Sequence, residues 1–285
     1  MLADSAQSTT SPEAGKSHQT NIATSNQPLT TPSIGWNVVT GYLDSAARNL
    51  TNGASQPQHD DRYAMCEEYM SVVYALWNSS WRSDAVQLNR STGTYTDPAL
   101  VREINHQGKY FTVPGPHPCQ PSPQRTPVIM QAGTSTAGRA FAAKHAEAIF
   151  VSAHSPVGVA NSIASVRSQM AAQNRDPKSL KVLAKFCPIL GRTQEEADAK
   201  YLDLAQYGDY EGALALFGGW TGVDMAPYGE DEELRYVESN AIQGYIRNLI
   251  KTAPDVNGGK WTKRTLAQHI MGMFMFLLEC GWVVV

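Results

Sequence analysis

Cysteine is scarce in this chain: four in 285 residues, at positions 66, 119, 187 and 280, with no C-x-x-C pair among them. That spacing excludes a zinc knuckle and a disulfide framework, and it makes a reducing compartment, the cytoplasm, the expected location. No charged segment followed by an apolar core opens the sequence, so a secretory signal is not expected. No excess of basic charge is present either. The formal net charge is −3, which gives no electrostatic footprint for nucleic acid. The longest apolar region, Ile270 to Val285, is interrupted by Glu279 and falls short of a membrane-spanning helix. Neither a Walker A sequence nor G-x-G-x-x-G occurs around the glycines of the central segment. His106, His117 and His145 have no partners at metal-ligand spacing, so no metal is expected. Residues 1–33 have almost no large apolar side chains and are rich in Ser, Thr, Gln, Asn and Pro. Such a stretch buries too little surface to offset its ordering entropy, and it is expected to be a disordered leader.

Thr126 to Val151 carries the most information. Val128-Ile129-Met130 behind Pro127 has the pattern of a buried parallel strand. Gly133-Thr134-Ser135-Thr136-Ala137-Gly138 breaks the run with two glycines and three hydroxyls, and an Ala-rich helix and a second apolar run, Ala148 to Val151, follow. A helix start leaves backbone N–H groups without partners and its dipole favours an anion, so this loop fits a phosphate cradle at the carboxyl end of a strand. The simpler reading is that Ser135 or Thr136 is an N-cap.

Ile34 to Gly41 reads as a buried strand with Asn37 and Thr40 as polar positions, either capping a strand end or facing a pocket. Leu43 to Gln58 reads as a loop. His59 opens a helix with acidic residues in its first turn, in which Tyr63, Cys66, Met70, Val73 and Trp77 face inward and Glu67 and Glu68 face away. His59 and Tyr63, one turn apart, read on their own as a surface histidine and a half-buried tyrosine. Lys109 to Val113 is a short strand candidate before a proline-rich excursion. Ser155-Pro156 starts another helix with Val159, Ile163, Val166 and Met170 buried; Leu180 to Leu190 is the next strand, and Thr193 and Glu196 form a capping box. Gly218 to Gly222 reads as a turn cluster, and Glu233 to Lys251 and Thr265 to Met271 as helices. Strands near Asn37, Ile129, Phe150 and Val182 alternating with helices imply an α/β fold with a parallel sheet or barrel, four strands against the eight of a closed barrel.

Several long motifs, among them GWNVVTGYLDSAARN, HDDRYAMCEEYMSVVYALW, TPVIMQAGTSTAGRAFAAKHAEAIFV and YVESNAI, resemble the nitrilotriacetate and dibenzothiophene-sulfone monooxygenase group of bacterial-luciferase-like enzymes. The resemblance implies a luciferase-like TIM (β/α)8 barrel and a monooxygenase. It would use FMN as FMNH2, supplied by a separate NAD(P)H:flavin reductase, to insert one oxygen of O2 into a small organic substrate through a flavin hydroperoxide. Carried over position by position, it implies flavin contacts from Asn37, Thr40, His59, Tyr63, Thr134 and Ser135, with backbone help near Gly138 and Arg139. It also implies an incomplete barrel over 34–271, holding about strands four to seven, after the leader 1–33 and before an aberrant apolar tail over 272–285. A non-catalytic remnant, or a partner of a full-length paralogue, is the alternative expectation. A homo-oligomer is compatible with the sequence, and a deazaflavin-dependent relative fits its motifs less well.

Overall fold

A computed structural model describes residues 34–151, 156–184, 188–234 and 260–273. The expected leader, most of the Glu233 to Lys251 helix, the Ser155 cap and the tail beyond Met273 lie outside these residues.

Four parallel strands form the central sheet in chain order: β1 (Gly35–Val38), β6 (Val128–Gln131), β7 (Ala148–Val151) and β8 (Lys181–Ala184). Register aligns Val38 with Gln131, Gln131 with Ile149, and Ile149 with Val182. Strand alternation sends Trp36, Val38, Ile129, Ile149 and Val151 to one face, where helices cover them. The helices are α2 (His59–Ser79), α3 (Thr136–His145) and α4 (Pro156–Ala172). Cys66, Met70 and Val73 of α2 are buried against Trp36, Val38, Ile129 and Phe141. Ala142, Ala143 and Ala146 meet Val166 and Met170 of α4. Each large side chain buried here contributes about 1.5–3 kcal/mol. Gly35, Asn37, Val128, Met130, Ala148, Phe150, Lys181 and Leu183 point to the other face. There Val128, Phe150 and Leu183 remain 39, 40 and 43% exposed.

The described strands are the four expected, and the barrel they begin is not closed. Arg175, just beyond α4, closes the far end of α3: its guanidinium donates to Ala143 O at 2.7 Å and Ala146 O at 2.9 Å. A cation on the last carbonyls complements the helix dipole.

Between α2 and β6 the chain makes two small hairpins: β2 (Val86–Asn89) with β3 (Thr94–Thr96), and β4 (His106–Gln107) with β5 (Thr112–Val113). The expected strand at Lys109 to Val113 is therefore only its last two residues. Glu68 does not face away from the fold. Its carboxylate accepts from Tyr110 N at 3.0 Å and Phe111 N at 2.8 Å and meets His106 Nε2 at 3.2 Å, tying the second hairpin to α2. Glu67 is likewise engaged, with Lys144 and with His145 Nε2 at 3.1 Å. Amphipathic spacing marks these carboxylates as solvated, but loops and helices arriving from elsewhere in the chain supply their partners.

Four further readings need correction. The stretch read as a loop from Leu43 contains a short helix, α1 (Asp44–Leu50), braced by an Arg48–Asp44 ion pair. The described part of β8 is Lys181–Ala184, residues 185–187 lie outside the described residues and 188–190 are not strand; Glu196 accepts from Arg192 N rather than completing a reciprocal box with Thr193, which caps α5 (Gln194–Ala205). Gly218 and Gly219 lie inside α6 (Tyr210–Thr221), and only Gly222, at φ 71°, ends it. A helical glycine costs about 1 kcal/mol relative to alanine. Packing of Ala213, Leu214 and Phe217 against Leu266, Ala267 and Ile270 of α7 (Lys263–Met273) outweighs that cost.

Candidate flavin site

The site is built at the carboxyl ends of β1 and β6. Gln131, the last residue of β6, is 3% exposed, and its Oε1 accepts from Ala132 N at 2.6 Å and Gly133 N at 3.1 Å. This fold-back turns the chain sharply into the glycine loop. Ser135 then caps α3: its Oγ accepts from Gly138 N at 3.0 Å. Arg139 N is already bonded to Ser135 O at 2.9 Å. The N–H groups of Gly138 and Arg139 are therefore consumed within the helix start. Thr134, Ser135, Thr136 and Ala137 carry the backbone donors that have no acceptor among the described residues. The N-cap reading of Ser135 holds, and it leaves the loop's other backbone donors available to an anion.

Tyr63 reaches this loop from α2. Its hydroxyl lies against Gly133 and Gly138 and near enough to the Ser135 and Thr40 side chains for both to act on its proton, bringing β1, α2 and α3 to one point. Burial is the largest influence on Tyr63 and raises its pKa above the ordinary phenol value, so the hydroxyl is neutral at physiological pH. Gly133 and Gly138 make room for it: a Cβ on either would stand 2.5 or 2.8 Å from Tyr63 Oη. His59 is buried, not a surface residue. Its ring lies 5.2 Å from that of Tyr63, and Nδ1 is 2.7 Å from Asp60 Oδ1. A carboxylate only accepts, so Nδ1 carries a proton and fixes the ring's orientation.

Of the six expected residues, Thr40, Tyr63 and Ser135 come together, His59 packs on Tyr63, and Thr134 lies in the same loop as Ser135. Asn37 points to the other sheet face, where its Oδ1 is buried with no partner among the described residues. Gln131 and the Arg139 side chain escaped the sequence reading. Gln131 Nε2 and Arg139 Nε are also buried without partners. A glutamine ending an apolar strand was the available signal. Among the described residues no group of three or more His, Cys, Asp and Glu could hold a metal ion, and no helix is long and apolar enough to cross a membrane.

Comparison with known proteins matches residues 32–267 to the luciferase-like monooxygenase model. The chain belongs to that family. Dimethyl-sulfide monooxygenase of Hyphomicrobium sulfonivorans is 44% identical over 241 residues, 85% of this chain and 49% of that enzyme. A crystal structure of riboflavin lyase with modified FMN and riboflavin aligns with TM-score 0.69 at 34% identity, covering 75% of this chain and 47% of the other. Dibenzothiophene-sulfone monooxygenase of Rhodococcus erythropolis and nitrilotriacetate monooxygenase component A of Aminobacter aminovorans are relatives too, as the sequence resemblance implied. The chain spans about half the length of the curated relatives it matches.

Proposed function

We propose that the chain supplies the FMN-binding part of a two-component monooxygenase, acting on a small organic substrate with reduced flavin delivered by a separate NAD(P)H:flavin reductase. The observation that carries this reading is the Tyr63 hydroxyl lodged against Gly133 and Gly138, beside the Ser135 and Thr40 side chains, at the start of α3. The groups present suit a phosphorylated flavin. The loop offers N–H groups, two hydroxyls and a positive helix end, and three buried polar atoms nearby or on the sheet await partners. Relatives support the cofactor class, since one is an FMNH2-dependent dimethylsulfone monooxygenase and the riboflavin lyase structure holds modified FMN.

Thr134 and Ser135 would take the phosphate end, with the Arg139 guanidinium beside them as a countercharge. Tyr63, His59, Thr40 and Asn37 would line the remainder. A bound reduced flavin supplies the activation of O2 for transfer of one oxygen atom. Tyr63, kept neutral by burial, keeps its proton as a hydrogen-bond donor. His59, held by Asp60, orients the tyrosine ring. The apolar α2–α3 packing around Phe141 excludes water behind them.

The test is a fluorescence titration of the purified chain with FMN and with riboflavin, followed by turnover with an added reductase and NAD(P)H. FMN should bind at least about tenfold more tightly than riboflavin, the equivalent of about 1.4 kcal/mol from the phosphate. Equal affinity for the two would remove the cradle from the argument. The uncovered sheet face favours a second reading, a flavin-binding remnant or partner of a longer paralogue. Tight FMN binding with no oxygenation of any thioether, sulfone or alkane substrate would select it.

A further inference from the structure

Beside the flavin loop, one titratable side chain has a ring nitrogen that the described fold leaves unengaged. His59 opens α2 and is buried. Its Nδ1 donates to Asp60 Oδ1 at 2.7 Å, and its Nε2 has no hydrogen-bond partner among the described residues. In the neutral ring Nε2 is a lone pair; in the imidazolium it is a donor. The Nδ1 bond to Asp60 serves both states, so a proton can come and go at Nε2 without turning the ring. The ring lies 5.2 Å from that of Tyr63, and the Tyr63 hydroxyl lies against Gly133 and Gly138. One aromatic ring therefore separates His59 from the loop assigned to the flavin phosphate.

Charged groups reach this end of the sheet from several elements. On α2, Asp60 acts on both His59 and Arg62, Asp61 follows it, and the buried Arg62 guanidinium donates to Pro57 O at 2.7 Å. Tyr63 is neutral because burial holds its proton. Arg139 stands in the first turn of α3, and Asp44 of α1 accepts from Gln56 N at 2.8 Å while pairing with Arg48. Carboxylates and guanidinium groups hold one charge near neutral pH, whereas histidine changes its charge between about pH 5 and 8. We propose, on the flavin reading above, that His59 makes flavin binding proton-coupled and thereby selects the phosphorylated flavin. A phosphate monoester brings about −1.5 to −2 charges to the loop at pH 7. At a buried site, across a single ring, that charge is poorly screened and favours the imidazolium. His59 then takes up a proton at Nε2 as FMN binds, and Asp60 is the positioning residue that holds the charged ring. FMN affinity therefore falls as pH rises, because the proton becomes harder to supply. Riboflavin has no phosphate, so its affinity stays level.

The test is isothermal titration calorimetry of the full chain with FMN and with riboflavin, in HEPES and in Tris at about pH 7.5. The heat difference between the two buffers counts the protons taken up. Wild type should take up at least about 0.3 proton per FMN and none with riboflavin. Fluorescence titration should show the FMN Kd rising about threefold from about pH 7 to about pH 8.5, with riboflavin level. His59→Gln should abolish the uptake, flatten the FMN profile and narrow the preference for FMN. Asp60→Asn, at an exposed carboxylate, should move the FMN profile to lower pH. Absence of uptake in a wild type that prefers FMN overturns the proposal and leaves the flavin reading standing, as does a His59→Gln variant that takes up as many protons as wild type. If His59→Gln does not fold, Asp60→Asn decides, and an unchanged uptake and pH profile overturns the proposal. Equal affinity of wild type for FMN and riboflavin overturns the flavin reading itself, and the proposal with it.

Discussion

Gly138 packs so closely on Gly133 that a Cβ at 138 would stand 2.9 Å from the Gly133 carbonyl carbon and 3.0 Å from its Cα. The contact is backbone against backbone and cannot relax by a rotamer change. Gly138→Ala should therefore cost about 1–3 kcal/mol in urea unfolding and weaken FMN binding. Gly133→Ala meets a different obstacle, Tyr63 Oη at 2.5 Å. Adding Tyr63→Phe should restore much of the stability lost in Gly133→Ala and less of that lost in Gly138→Ala. The double-mutant coupling should be about 1 kcal/mol or more at position 133, and a coupling near zero there would contradict the packing described.

Glu67 joins α2 to α3 through Lys144 and His145. Burial pushes its pKa up, but the hydrogen bonds from His145 and Lys144 overcome this and hold it below the usual carboxylate value. A depressed carboxylate pKa stabilises the fold above the unfolded-state pKa, and that contribution disappears as pH falls through the folded-state value. The Tm difference between wild type and Glu67→Gln should thus be fully present above about pH 5 and shrink below about pH 4. A difference that stays constant from pH 7 to pH 3 would show that the pair contributes no linkage.

The parallel strands and α2 were legible because their signal is local: apolar runs between turn residues, and helical spacing of Cys66, Met70 and Val73. The hydroxyls of the loop were legible as a helix start for the same reason. What was not legible depends on residues distant in sequence. Glu68 reads as solvated until the hairpin about forty residues later brings Tyr110 and Phe111 to it. His59 reads as exposed, but it is buried with its ring against that of Tyr63. Gly218 and Gly219 read as a turn because two glycines are counted against a helix, while the packing of Phe217 on α7 is invisible from composition. Arg175 gives no local sign that it closes a helix that ended thirty residues earlier.

The β4–β5 hairpin is held to α2 by the Glu68 carboxylate and by the Phe111 ring, 5.8 Å from that of Tyr69. Three groups converge on Glu68: the His106 ring and the backbone N–H groups of Tyr110 and Phe111. Glu68→Ala should free Tyr110 and Phe111 selectively. Hydrogen exchange at these amides should accelerate at least tenfold, while amides of α3 and β6 keep their wild-type rates. Equal acceleration across the domain would mean that the hairpin is integral to the core rather than a flap on α2.

Gln131 offers the sharpest separation of loop geometry from loop chemistry. Its Oε1 holds the Ala132 and Gly133 N–H groups, whereas its Nε2 has no protein partner. Gln131→Glu retains an acceptor for the two N–H groups but loses the donor and adds negative charge beside the anion loop. Gln131→Met removes acceptor and donor together and leaves the Ala132 and Gly133 N–H groups without that acceptor. Gln131→Met should therefore lose stability and bind FMN and riboflavin equally poorly. Gln131→Glu should stay closer to wild-type stability and lose affinity mainly for FMN, because the phosphate is what the added charge repels. Urea unfolding and paired flavin titrations of the two variants read these effects separately. If Gln131→Glu weakened riboflavin and FMN to the same degree, the phosphate would not sit at this loop, and the part of the site assigned to Thr134 and Ser135 would have to be reassigned.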